Sequence, residues 1–369
     1  MTALRTQKWL WLSYLCKIPK SHMIKLYDEF SDIDNIYAAQ REDYEKLSFL
    51  KEEEINRLCD KSLNSLSPYI SSLEKNKVRI ITRDMESYPK QLFCISSFPS
   101  VLYVKGKNLN LNRMQCVSVV GSRTPGSYGK SITAEISTKL ARSGFVVVSG
   151  MADGVDSVAH RSAVECGAPT VAVLGCGVDI VYPKGNYELS KKIEEVGMII
   201  SEYPLSTHPE KFYFPERNKI IAALSMGTVV TEANLKSGSL ITAQWAKKYG
   251  KDLFAVPGNI TSKLSGGTNE LIRQGAVAVT GADDVCSYYG VFKNERDDEI
   301  NNDKSSYNTT DEKEGAIIKA LEREEMLNID GLSYATGLSL SELSSTLLFM
   351  EVKDIIKRTG TDMYMLVLK

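Results

Sequence analysis

The sequence predicts a doubly wound α/β fold on a mostly parallel sheet, preceded by a helical module and followed by a winged-helix module. Three observations carry this expectation. Between residues 116 and 289, short continuous apolar runs alternate with amphipathic helical stretches. Runs apolar at every position suit strands buried on both faces, which calls for a parallel sheet with helices on either side. Most of these runs end in glycine- and serine-rich turns. The flanks carry a different pattern: helical spacing before residue 75, and three short helical patterns with one terminal strand after residue 313.

Composition bounds the answer. The chain has 369 residues, with 45 Lys+Arg against 46 Asp+Glu and a net charge of −1. At roughly 150 residues per domain, about two to three domains are expected. Hydrophobic residues at 43% and charged residues at 25% exclude wholesale disorder and collagen-like repetition. Near-neutrality argues against a diffuse polycation, and even residues 116–285 hold 17 Lys+Arg against 16 Asp+Glu. Seven scattered cysteines and three histidines, with no CxxC, disfavour a disulfide framework or zinc finger. The apolar run 9–16 is too short to span a bilayer, and Lys17-Ile18-Pro19-Lys20 follows it without a small-residue cleavage site. A cytoplasmic protein without a membrane span is expected.

In chain order, residues 1–75 form the helical module, with apolar spacing over 7–16, 22–30, 41–50 and 51–60 and caps around Asp32 and Asp34. A lead-in segment, 76–115, contributes strand-like stretches at 78–82 and 101–105 to a central domain extending to residue 292. The central strands fall at 116–121, 145–149, 170–175, 198–201, 228–231, 252–256 and 277–280. Residues 294–314 hold eight acidic and three basic residues, and 293–312 reads as a flexible acidic linker. The last module, 313–369, has helical patterns at 314–322, 328–335 and 341–350 and a strand at 362–368. Ser339 and Glu342 fit a capping box.

Ligands of open parallel sheets sit at the carboxyl ends of the strands. There this sequence places Gly121-Ser122-Arg123, Ser149-Gly150, Tyr182-Pro183-Lys184 and Ser237-Gly238-Ser239. Glycine and serine let backbone N–H groups approach an anion, and a helix start beyond the loop adds its dipole. Arg123 and Lys184 would supply full charge. Phe214, Arg217, Asn218 and Lys219 set an aromatic ring beside cations, which suits a ligand with a phosphate backbone and bases. The first turn is not GxGxxG and no GxxxxGK[ST] occurs, so no nucleotide cofactor is expected. Asp153 and Asp156 are read as caps rather than metal ligands. His160 is read as structural, and Cys176 lacks a base partner.

The ordered series Gly121-Ser122-Arg123, Ser149-Gly150-Met151-Ala152-Asp153-Gly154-Val155-Asp156, Tyr182-Pro183-Lys184, Phe214-Pro215-Glu216-Arg217-Asn218-Lys219, Ser237-Gly238-Ser239-Leu240 and Val256-Pro257-Gly258 resembles the DNA-processing protein A (DprA/Smf) family. That resemblance implies an extended Rossmann-like domain that binds single-stranded DNA, usually as a homodimer. It implies a mediator that helps load a RecA-type recombinase during transformation or recombination, with no catalytic activity. Gly121, Ser122, Arg123, Ser149, Gly150, Lys184, Arg217, Asn218, Lys219, Ser237, Gly238 and Ser239 would then lie along the DNA, with Phe214 stacking on a base. Lys219 stands where the family commonly has Arg, which keeps the charge and loses the bidentate fork.

Two other classes are weighed against this. The stretch from Ser225 to Ala233 is similar to the glutamate loop of lysine-decarboxylase-like phosphoribohydrolases, in which Glu232 would act on a nucleoside monophosphate; the Pro-Gly-Gly of that loop is missing. A duplex-reading winged helix would need Arg, Lys, Asn or Gln on its recognition helix, and 341–350 has no Lys or Arg.

Overall fold

The computed structural model describes residues 3–291, 311–324, 326–353, 355–359 and 363–367. The chain divides into two compact units, Met1–Phe292 and Lys293–Lys369.

The first unit is organised by a nine-stranded sheet. Its strands are β1 (Arg79–Thr82), β2 (Val101–Gly106), β3 (Cys116–Val120), β4 (Val146–Ser149), β5 (Thr170–Leu174), β6 (Met198–Ser201), β7 (Gly227–Val230), β8 (Asp252–Ala255) and β9 (Val277–Ala278). Their order is β1-β2-β6-β5-β4-β3-β7-β8-β9. The strands from β3 to β9 run parallel to their neighbours, while β1–β2 and β2–β6 pair antiparallel. Every residue of β3 to β7 is buried, as the unbroken apolar runs require. Each fully buried Val, Leu or Ile contributes about 1.5–3 kcal/mol. The expected strand at 277–280 shrinks to two exposed residues at the sheet edge.

The helices Ser127–Arg142 and Val155–Glu165 cover one face, their side chains joining Val117, Val119, Val147 and Val229 in one core. The Tyr213–Leu224 and Ser239–Lys248 helices supply Ile220, Ile221, Leu224 and Ala243 to the core of the opposite face. From β3 the chain winds outward through β4, β5 and β6. The Tyr213–Leu224 crossover then returns it to β7 on the other flank of β3. The strand order therefore reverses between β3 and β7, and such a switch point opens a crevice at the strand carboxyl ends.

The N-terminal helices share a core with this sheet. Trp9, Trp11, Leu12 and Tyr44 are buried together with Tyr103, Leu174, Met151 and Ile199. Tyr69 Oη accepts the Leu205 N–H at 3.1 Å, and Lys20 pairs with Glu202 at 2.6 Å. Asp32 caps the Ile33–Ala38 helix by accepting the Asp34 N–H.

The second unit has helices Glu312–Arg323, Ile329–Thr336 and Leu340–Val352 and a three-stranded antiparallel sheet of β10 (Leu327–Asn328), β11 (Ile356–Thr359) and β12 (Met363–Leu366), ordered β10-β12-β11. Ile317, Leu321, Leu332, Leu343, Leu347 and Met350 form its core. The Ser339–Glu342 capping box is present. The expected acidic linker lies outside the described residues, except for Asp311 and Glu312 at the start of the first of these helices.

Candidate functional site

At the switch point lies a cavity of about 560 Å³. Its walls come from the loop after β3, the loops after β4 and β5, the crossover helix and the loop after β7. Of the residues singled out in the sequence, Gly121, Ser122, Arg123, Phe214, Arg217, Asn218, Ser237, Gly238 and Ser239 line it. Ser149, Gly150, Lys184 and Lys219 do not.

The aromatic part is a layered set. The Tyr182 ring stacks on Phe214 at 5.7 Å between centroids with 25° between planes, and the Arg123 guanidinium lies 5.4 Å from the Phe214 ring. Phe214 is thus flanked by Tyr182 and Arg123, and Tyr182, 43% exposed, offers the more open ring. Arg123 and Lys211 are exposed cavity residues, and neither makes an ion pair among the described residues. The Ser239–Lys248 helix begins on the cavity wall, with Ser237 Oγ and Ser239 Oγ 2.8 Å apart, so the positive end of its dipole faces the same space. Asn218 Nδ2 donates to the Gly238 carbonyl at 3.4 Å, tying the crossover helix to this turn.

Arg217 has a different position. It is 4% exposed and donates to the carbonyls of Gly150 and Val173, the latter at 2.7 Å, and to Asn218 Oδ1 at 3.1 Å. Burial lowers its pKa, and the nearby Asp156 opposes that shift. Burial in turn pushes the Asp156 carboxyl up, against the pull of Arg217 and of N–H bonds from Ala152 and Gly150. Gly150 leaves room for this arrangement: a Cβ at this position would lie inside van der Waals contact with the Arg217 guanidinium, which would have to shift off its carbonyls. Ser149 is fully buried, and its hydroxyl donates to Val119 O at 2.7 Å. Ser149, Gly150 and Arg217 therefore fix the cavity floor, and most of their polar capacity is spent on the protein itself.

Lys184 is exposed on the turn after β5, outside the cavity wall. Asn186 two residues on holds that turn against the β4 loop, donating to Met151 O at 2.9 Å and Ser157 Oγ at 2.8 Å. Lys219 is turned away from the cavity, paired with Glu216 at 2.5 Å and 4.9 Å from the Trp245 ring.

Glu232 is buried behind the first loop and accepts the Gly126 N–H at 2.9 Å, and it does not line the cavity. His160 is fully buried against Thr170 Oγ1 at 2.7 Å, and burial lowers its pKa to about 3. Burial pushes the Cys176 thiol up to about 11, which keeps it from acting as a nucleophile near neutral pH. Asp153 is exposed. Among the described residues no cluster of three His, Cys, Asp or Glu could hold a metal, and no helix is long and apolar enough to cross a membrane.

Tyr182, Lys211 and Asn234 also line the cavity, beyond the site residues that the sequence singles out. Tyr182 had a signal, an aromatic directly before Pro183-Lys184 at a strand end. Asn234 had none beyond its place after β7.

This fold has counterparts. The profile of the DNA recombination-mediator protein A family matches residues 79–290. The chain belongs to that family. Within it, the DNA processing protein DprA of Bacillus subtilis (strain 168) is 35% identical over 216 residues, 58% of this chain and 73% of the relative. The Streptococcus pneumoniae DprA is 42% identical over 204 residues, 55% of this chain and 72% of the relative. The X-ray structure of DprA from Streptococcus pneumoniae matches with a TM-score of 0.68 at 32% identity, covering 76% of this chain and 97% of that one. A structure of DNA processing protein A from Helicobacter pylori, described for its single-stranded DNA binding mode, matches with a TM-score of 0.53 at 32% identity, covering 58% and 95%. The family match coincides with the sheet and the loops that build the cavity.

Proposed function

We propose that this protein binds single-stranded DNA at the switch-point cavity and helps place a RecA-type recombinase on it. It acts as a cytoplasmic homodimer and catalyses no reaction. The observation that carries the reading is the juxtaposition of two cations that form no ion pair among the described residues, Arg123 and Lys211, with the Tyr182–Phe214 stack and a helix N-terminus. Phosphates suit the cations and the dipole, and a base suits the ring face. A duplex hides its base faces, so this pairing favours an unpaired strand. The family membership and the DNA-binding relative from Helicobacter pylori support the same reading.

A confined cavity contacts few phosphates. Two or three contacts at about 0.7 per phosphate imply a log–log salt slope near −2 for a single strand. Dimerisation would strengthen such a site by linking two of them. Charge-assisted contacts contribute about 1.5–3 kcal/mol each, so Arg123→Ala should weaken binding about 10- to 100-fold. Fluorescence anisotropy with labelled single-stranded and duplex DNA measures this. Unchanged binding by the folded variant would reject the assignment. Faster recombinase assembly on single-stranded DNA in the presence of the protein tests the loading step.

Nucleotide cleavage by Glu232 has no geometric support, because its carboxylate is committed to Gly126 behind the loop. We read the second unit as a winged helix and residues 293–312 as its tether. The Leu340–Val352 helix carries no Lys or Arg, so this unit is assigned to protein contacts rather than duplex reading.

A further inference from the structure

Beside the central cavity, the loops after β7 and β8 enclose a second, shallower groove of about 490 Å³. Leu235 and Ile260 form its apolar part, and they are 66% and 91% exposed. Lys236 and Lys263 are its charged residues; both are exposed, neither makes an ion pair among the described residues, and no Asp or Glu lines the groove. Asn234 lines this groove and the central cavity alike, so the two concavities adjoin at that residue.

The loops hold themselves in place. Asn234 Oδ1 accepts the Lys236 N–H at 2.8 Å, and Asn259 Oδ1 accepts the N–H and hydroxyl of Thr261 at 2.9 and 2.8 Å. Gly258 exchanges two hydrogen bonds with the Asn269 amide, at 3.1 and 3.0 Å. Leu235 and Ile260 are therefore presented on braced loops, at a cost in exposed apolar surface that folding alone does not repay.

We infer that this groove is a flanking subsite for the same single strand, in which a base packs against Leu235 and Ile260 while adjoining phosphates lie against Lys236 and Lys263. This rests on the central cavity being the strand's main site. Aliphatic side chains of this kind pack against base faces where an unstacked base needs cover. Positive charge without acidic neighbours, beside the cavity proposed to take the strand's phosphates, favours nucleic acid over an acidic protein surface as the occupant.

The test compares the full-length wild type with Lys236→Ala/Lys263→Ala and with Ile260→Ser, each checked for an unchanged melting temperature. Anisotropy is measured with labelled oligothymidylates of roughly 4 and roughly 16 nucleotides, lengths that bracket the footprint of a compact single-strand site. The short strand should bind all three proteins equally. The long strand should bind the double variant five- to tenfold more weakly, with a salt slope shallower by about 1.4, and Ile260→Ser two- to fivefold more weakly. Equal affinity and slope at both lengths would overturn the subsite. So would an equal loss at both lengths, which would place these residues at the central cavity. Normal DNA binding with lost recombinase stimulation would make the groove a protein dock instead. If the wild type binds neither strand, the central reading itself fails, a result distinct from the others.

Discussion

Arg123 and Arg217 both line the cavity, yet burial gives them different work. Arg123 is exposed and free to meet a ligand, whereas Arg217 is bound to the carbonyls at the ends of β4 and β5. Removing Arg217 would leave those acceptors and Asp156 buried without their donor and countercharge. Arg217→Met should therefore cost about 3–5 kcal/mol in urea unfolding, while Arg123→Ala should change stability by less than about 0.5 kcal/mol. Lost DNA binding in an Arg217 variant would then report a collapsed floor. His160 gives a pH signature. Its folded pKa of about 3 lies below the ordinary 6.5, so the unfolded chain takes up a proton that the folded chain refuses. The contribution is complete above pH 6.5 and is lost progressively as pH falls toward 3. Between pH 7 and 5.5 the wild type should lose about 1 kcal/mol more than His160→Gln, read as the difference in urea midpoints.

At the scale of elements, the strands were the most legible part, because a strand buried on both faces must be apolar at every position. The runs at 116–121, 170–175 and 198–201 match β3, β5 and β6 to within a residue at either end. The short Ile33–Ala38 and Ser67–Lys75 helices were not anticipated, since fewer than three turns carry too little periodicity to stand out. Glu232 shows how a motif misleads when its element is unknown. In sequence it resembles a catalytic glutamate, but in the fold it sits at the start of the Ser127–Arg142 helix, where a carboxylate meets free N–H groups and the dipole. Glu232→Ala should cost about 1–3 kcal/mol of stability in urea unfolding. Neither protein should release free base from AMP, and release by the wild type alone would restore the enzymatic reading.

For the whole molecule, the two units have separate cores, and the cavity belongs entirely to the first. A chain ending at Phe292 should bind single-stranded DNA within about threefold of the full protein, because the removed unit's third helix offers no cation to phosphates. A larger loss by anisotropy would assign the second unit a direct DNA contact. The near-neutral net charge also finds its explanation at this scale. It excludes a diffuse polycation and permits a few cations to be concentrated where strands end.

By itself the sequence determined the alternation of strands and helices, the turns at the strand ends and the family motif, because periodicity and turn chemistry are local properties. Only the tertiary structure decided which of those turns meet. Arg217 and Lys219 are two positions apart, but about 200° apart around a helix, so one forms the cavity floor while the other pairs with Glu216 outside it. Ser149, Gly150 and Lys184 match the motif as well as Arg123 does, and none of them lines the cavity. Which motif residues face a ligand depends on strand order and on contacts between residues tens of positions apart, and neither can be read from local spacing.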